Sequence, residues 1–495
     1  MFRRTLSFVV ASALGVALVS AAAGAADPKP TVTGPITGGK GEIELLSTTF
    51  DPAEFGYEKV EYFIEGTATA YDQAEPFGPD GKWKVKESTA APYKTRVVVF
   101  RPIEADDFNG TVFVEWLNVS SGFEVGPDWV LAHNQIMRSG AAWVGVSAQA
   151  VGVQGGQATV GGLPEGGVKA SDPERYATLS HPGDAYSYDI FSQAGIAVRG
   201  GGDDGPLGGL DVRRVIALGE SQSAFRMVTY INAVQPTVDV YDGFLVHSRG
   251  AAGAGLGASL GRGVGDPSMP ETAAIRTDTK VPVLMVQAET DLTRLGYLAA
   301  RQPDSKRVRL WEMAGTAHAD AYTAGLGFSD VGDGSAESAL VDPTKASGGP
   351  LSCVSPINSG PSFAIVSAAV RQLEQWVQDG TPPTKAPRLE TTDAAEPDIA
   401  RDEHGNALGG IRTGQVQAPL ATIDGTLNDG GTFCSLFGHT VPFDAATVAA
   451  LYPTEAAYVK AFDTATDAAV KAGFLLEPEA KNYKAAARAI TFPPA

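Results

Sequence analysis

The stretch Val215-Ile216-Ala217-Leu218-Gly219-Glu220-Ser221-Gln222-Ser223-Ala224-Phe225 constrains the fold more than any other. Its apolar, β-branched start fits a buried strand. Small and polar residues follow, and then a pattern that opens a helix. A serine at the apex of such an elbow is lifted above the sheet edge, where its hydroxyl can attack a carbonyl. Gly219 and Ser223 flank Ser221 two residues on either side. That is where strand and helix pass too closely for a large side chain. Gly-x-Ser-x-small alone is weak, because Gly, Ser and Ala are common in this chain. Its place between a strand and a helix is what gives it weight. A structural turn serine is the competing reading.

A serine nucleophile needs a base, and the base needs an orienting acid. The chain has six histidines: His133, His181, His247, His318, His404 and His439. Arg307-Val308-Arg309-Leu310-Trp311-Glu312 reads as a strand, and the small, glycine-containing run Met313–Ala317 then delivers His318 at its end. His404 and His439 lie in turn-like segments with no strand leading into them. His247 ends a short strand and reads as a satisfied core histidine. For the acid, Val281–Gln287 reads as a buried strand, and both Glu289 and Asp291 follow it.

These stretches resemble the α/β-hydrolase superfamily. Within it, the chain is similar to secreted bacterial "alpha/beta hydrolase domain" proteins whose function is poorly characterised. The likeness is carried by Gly219–Ser223, Glu289–Leu292, Trp311–Asp320, Pro356–Pro361 and Gly409–Arg412, and it runs over most of the chain. In that superfamily the order along the chain is serine, acid, histidine. The order implies Ser221 as nucleophile and His318 as base, and it sets His133, His181 and His247 aside. The superfamily's register implies Asp291 as the acid, with Glu289 as the alternative that would brace the loop. It also implies a serine hydrolase mechanism, most often on carboxylic esters. Here Ser223 stands where the usual elbow has glycine.

An oxyanion hole needs two backbone N–H groups. One belongs to the residue after the nucleophile, Gln222. The other comes from the loop Trp116–Gly122, with Leu117 or Asn118 as candidates. No His-Gly-Gly-Gly run is present, which argues against a lipase. The segment Gly250–Gly265 holds seven glycines and reads as a mobile loop near the pocket. It formally matches a dinucleotide fingerprint, but its glycines continue where a helix would have to begin. Arg249 just before it and Arg262 within it read as solvated arginines, with a grip on a substrate carboxylate as the rarer alternative.

Met1-Phe2-Arg3-Arg4 followed by an apolar run and Ala23-Gly24-Ala25 reads as an export signal cleaved near Ala25. A secreted or periplasmic protein is expected, with no stable membrane anchor. Cleavage of residues 1–25 would remove two arginines and no acid from a net charge of −19, leaving −21. Such acidity argues against nucleic acid and anionic membranes as partners. The two cysteines, Cys353 and Cys434, are expected to form a disulfide in an oxidising compartment. Neither has metal-ligand spacing, so no metal or other cofactor is expected.

Alternating strand and helix patterns imply an α/β fold with a mostly parallel, eight-stranded sheet flanked by helices. The chain divides into the signal peptide 1–25, a hydrolase domain 26–382 with a loose lead-in 26–56, and a C-terminal extension 383–495 packed on the core. The expected activity is cleavage of a small-molecule or polymer-borne ester through an acyl-enzyme. The alternatives are an amidase or peptidase, an acyltransferase or lyase on the same triad, and a non-catalytic binding protein.

Overall fold

The architecture follows from where the apolar runs fall along the chain. A computed structural model describes residues 29–156, 166–257, 266–348, 352–426, 428–431 and 433–492. The expected signal peptide 1–25 and Arg262 lie outside these residues. The main sheet has nine strands: β1 (Thr31–Thr33), β2 (Tyr57–Gln73), β3 (Val85–Pro102), β4 (Thr111–Trp116), β5 (Ala142–Val146), β6 (Arg214–Glu220), β7 (Gly243–His247), β8 (Val283–Ala288) and β9 (Val308–Met313). Their spatial order is β1-β2-β3-β5-β4-β6-β7-β8-β9. The pairs from β1 to β5 along this order are antiparallel, and every pair from β5 to β9 is parallel. The eight strands read from the sequence are present. The ninth, β1, sits in the segment expected to be loose, and it gains order by pairing with β2 from Thr31↔Glu65 to Thr33↔Phe63.

The parallel strands are buried on both faces, as crossover helices require. In β6, Val215 and Ala217 join one core, and Ile216 and Leu218 join the other. The helix Ser187–Arg199 covers the first face with Tyr188, Ile190 and Phe191. The helices Pro127–Arg138 and Ser362–Asp379 cover the second, with Trp129, Phe363 and Trp376 among their core residues.

Residues from 383 onward close against the last strand. The Ile411 N–H donates to Glu312 O (2.7 Å), and the Ala314 N–H donates to Ile411 O (3.0 Å). A two-stranded ribbon follows, β10 (Ala421–Asp424) with β11 (His439–Pro442). The helices Glu455–Ala472 and Glu477–Arg488 then bury Phe462, Tyr458 and Tyr483 in the second core. Cys353 and Cys434 form a disulfide with Cα atoms 5.4 Å apart across 81 residues of chain. In the chain-entropy account such a loop closure contributes about 4 kcal/mol. Among the described residues no helix is long and apolar enough to cross a membrane.

Candidate active site

The parallel strands β6, β8 and β9 end at the same edge of the sheet. A side chain just past each end therefore meets side chains from the other two. Ser221 follows β6 directly and opens the helix Gln222–Thr229. Its backbone has φ +56° and ψ −119°, a conformation that is strained for a side-chain-bearing residue. The Ser221 N–H donates to His247 O (3.0 Å), which holds the turn against β7. Only glycine fits at position 219, because a Cβ there would lie 2.6 Å from Met227 Cγ. Ser223 is fully buried and small enough to let strand and helix meet.

The loop after β9 brings His318 to this serine. Ser221 Oγ donates to His318 Nε2 at 2.8 Å. On the other side of the ring, His318 Nδ1 donates to Asp291 Oδ1 at 2.6 Å. Asp291 is fully buried, and its second oxygen accepts the Ala288 N–H (2.6 Å) at the end of β8. With Nδ1 donating, Nε2 is left as the acceptor that a base needs. Glu289 is directed elsewhere. Its Oε1 accepts the Gly315 N–H at 2.6 Å, and its Oε2 accepts from Gly425 N (3.1 Å) and Arg401 Nη2 (2.8 Å). Burial lifts its pKa, and Arg401 pulls against that rise.

The two N–H groups expected as the second oxyanion donor are hydrogen-bonded within the protein. The Leu117 N–H donates to Val146 O (3.3 Å) and the Asn118 N–H donates to Val125 O (2.9 Å), so both candidates are already engaged. The reason is the short pairing of Asn118 with Val125, which folds the loop back on itself. The Asn118 side chain instead donates to Glu220, at 3.1 Å to Oε2 and 3.3 Å to the carbonyl oxygen. Gln222 is buried at the first turn of its helix, next to the nucleophile.

Glu220 is a site residue that the sequence reading did not single out. Its Oε1 lies 3.5 Å from His318 Nε2, and the residue is only 8% exposed. Burial, reinforced by Asp128 and Asp291, pushes its carboxyl up to about 8. The rise favours the neutral carboxyl beside the imidazole. The available signal was an acid between Gly219 and Ser221, at the last position of a buried strand.

His247 and Arg249 complete the surroundings. His247 Nδ1 bonds Asp128 Oδ1 at 2.8 Å, deep in the core. Arg249 is not solvated as expected but fully buried. Its guanidinium donates to the carbonyls of Gly250, Ala251 and Ala273 and lies 5.2 Å from the Tyr297 ring centre. The chain turning back over it after β7 supplies these acceptors, which sequence position alone does not show. Among the described residues no group of three or more His, Cys, Asp or Glu could hold a metal ion.

The family described as "Alpha/beta hydrolase domain" matches residues 32–485. No curated protein sequence matches. Among solved structures, the chain is similar to an α/β serine hydrolase without lid from Xanthomonas campestris. The two are 13% identical over 51% of this chain and 86% of that one, with a TM-score of 0.27. It is also similar to the esterase Est22 (14% identical, 53% of this chain, 74% of that one, TM-score 0.28). A thermostable esterase from Pseudomonas putida is 12% identical, over 50% of this chain and 73% of that one, with a TM-score of 0.25.

Proposed function

The chain belongs to the alpha/beta hydrolase domain family, and on that premise we propose that it is a serine hydrolase of carboxylic esters. The observation that carries this reading is the unbroken hydrogen-bonded run from Ser221 Oγ through His318 to Asp291, at 2.8 and 2.6 Å. Ser221 Oγ attacks the ester carbonyl carbon while its proton moves to His318 Nε2. Asp291 holds the ring in the tautomer that accepts this proton and stabilises the imidazolium that forms. The imidazolium then gives the proton to the departing alkoxide, and an acyl-enzyme is left on Ser221. Water, deprotonated by the same nitrogen, releases the acid and restores the serine.

The developing oxyanion takes one hydrogen bond from the Gln222 N–H at the helix start. With the N–H groups of Leu117, Asn118, Ser120 and Gly122 engaged, those of Val119 and Ser121 remain in this loop as candidates for the second donor. The disulfide supports a secreted or periplasmic location, since such bonds persist in oxidising compartments.

A fluorophosphonate probe and a graded panel of p-nitrophenyl esters and anilides test the proposal. Labelling at Ser221 alone, with turnover of esters over anilides, is the expected result. Labelling at another serine removes the nucleophile from this reading. Preferential turnover of anilides makes the protein an amidase on the same triad.

A further inference from the structure

The acid and the base stand on two separate loops, after β8 and after β9. The two loops bond each other directly, Gly315 N–H to Glu289 Oε1 (2.6 Å) and Glu289 N–H to Thr316 O (3.2 Å), and residues of the C-terminal extension buttress these bonds. Gly425, just past β10, is inserted between the two loops. A Cβ there would lie 1.9 Å from Thr316 O and 2.8 Å from Glu289 Cβ, so only glycine can approach this closely. The Gly425 N–H donates to Glu289 Oε2, and its carbonyl accepts from Thr290 Oγ1. Thr290 Oγ1 in turn accepts the His318 N–H at 3.0 Å. On the base side, Asn358 Nδ2 donates to both Gly315 O and Asp424 O, each at 3.2 Å.

One cation faces this arrangement. Arg401 Nη2 donates to Glu289 Oε2 (2.8 Å), Asp424 Oδ1 (2.8 Å) and Thr426 Oγ1 (3.2 Å), while Nη1 donates to Gly405 O (3.1 Å). Glu289 and Asp424 are both buried, and without Arg401 they would face each other as like charges. Two buried carboxylates that share a site do not both stay ionised at no cost. Either one takes a proton or the loops part. Where Glu289 takes the proton, or where the loops part, Glu289 grips the Gly315 N–H less tightly, and Gly315 lies three residues before His318.

We infer that Arg401 is a positioning residue of the hydrolase site. Acting through Glu289, it fixes the histidine loop against the aspartate loop, so the extension is part of the catalytic scaffold. The inference rests on the triad proposed above. A displacement of the order of 1 Å within a reacting constellation lowers the rate by about 10²-fold.

The test is made on the full chain. Arg401→Ala is expected to lower kcat by about 10²-fold with KM changed less than about two-fold, because substrate contacts are untouched. The rate of fluorophosphonate labelling at Ser221 should fall by a similar factor. Millimolar guanidinium should restore at least about a tenth of the lost rate in the variant and leave the wild type unaffected. Unchanged kcat and labelling in Arg401→Ala overturn the inference. So does a loss that follows the melting temperature and is not rescued by guanidinium, since that marks a purely structural residue. If Arg401→Ala does not fold, Arg401→Lys replaces it, keeping the charge and losing the fork. About tenfold loss is then expected, and a wild-type rate overturns the inference. A wild type that does not label at Ser221 removes the triad itself, and the positioning role with it. A wild type that labels beside a variant that labels equally fast removes only the role of Arg401.

Discussion

Two histidines at the same edge of one sheet each bond a buried aspartate through Nδ1, yet only one of them faces a hydroxyl. His318 reaches Asp291 at 2.6 Å and His247 reaches Asp128 at 2.8 Å. The difference lies on the far side of each ring. His318 Nε2 accepts from Ser221 Oγ. His247 ends β7 opposite Glu220 of β6, and it belongs to the wall behind the elbow. His318 also sits on a loop braced from the extension, whereas His247 is fixed within a strand. A histidine–aspartate pair is therefore not by itself a catalytic feature. The third partner decides, and the topology supplies that partner.

Five substitutions can break or sharpen this contrast. The largest effect is expected from Ser221→Ala, which should lower kcat by about 10⁶, or about 8 kcal/mol of barrier. Steady-state hydrolysis of a p-nitrophenyl ester measures it, and a loss below tenfold would mean that another group is the nucleophile. Asp291→Asn comes next, with about 10⁴ lost in kcat. Glu289→Gln should lose far less, since Glu289 bonds Gly315, Gly425 and Arg401 rather than the imidazole. The reverse ranking of these two variants would move the acid two residues earlier.

The other pair should respond in stability instead of rate. Asp128→Asn leaves His247 without its charged partner in the core and should cost about 3 kcal/mol, with kcat changed by less than about tenfold. Burial opposes charge on His247, but the hydrogen bond and charge of Asp128 outweigh it and raise its pKa above 6.5. This contribution is fully present below 6.5 and is lost as pH rises through the raised value. The melting-temperature gap between wild type and Asp128→Asn should therefore be widest in acid and narrow toward alkaline pH. A gap independent of pH would contradict the pair. The smallest effect belongs to Glu220→Gln. The Glu220 carboxyl is raised from 4.5 to about 8, chiefly by burial. Its favourable contribution is present below 4.5 and is lost as pH rises through about 8. Wild-type stability should fall across that window relative to Glu220→Gln, and parallel melting curves in the two proteins would show that the carboxyl is not held neutral.

Parts of this contrast were open to a reader of the sequence, and parts were not. The strand–elbow–helix was legible because Val215–Leu218 is an uninterrupted apolar run that ends in Gly219 and a serine. The loops carrying Asp291 and His318 were legible because each follows a run long enough to be a buried strand. β1 was not legible, since Thr31–Thr33 carries no pattern until it lies against β2. The last helix, Glu477–Arg488, was not legible because its buried face is built largely from alanines, with Tyr483 its one large aromatic side chain. The arginine at 249 was read as solvated because a charge is usually placed in water, and only the carbonyls of a folded loop could replace that water.

The sequence by itself determined the local pieces: the sharp serine turn, the buried strands, and the order of serine, acid and histidine. These are set by sterics and periodicity over a few neighbouring residues. The tertiary structure alone decided which acid after β8 meets the imidazole, and that the N–H groups of Leu117 and Asn118 are occupied. It also decided that Glu220 sits beside Nε2 and that Arg401 pairs with Glu289, 112 positions before it in the chain. Each of those facts depends on which hydrogen-bond partner is nearest once distant segments are packed and water is excluded, and no local pattern records that choice.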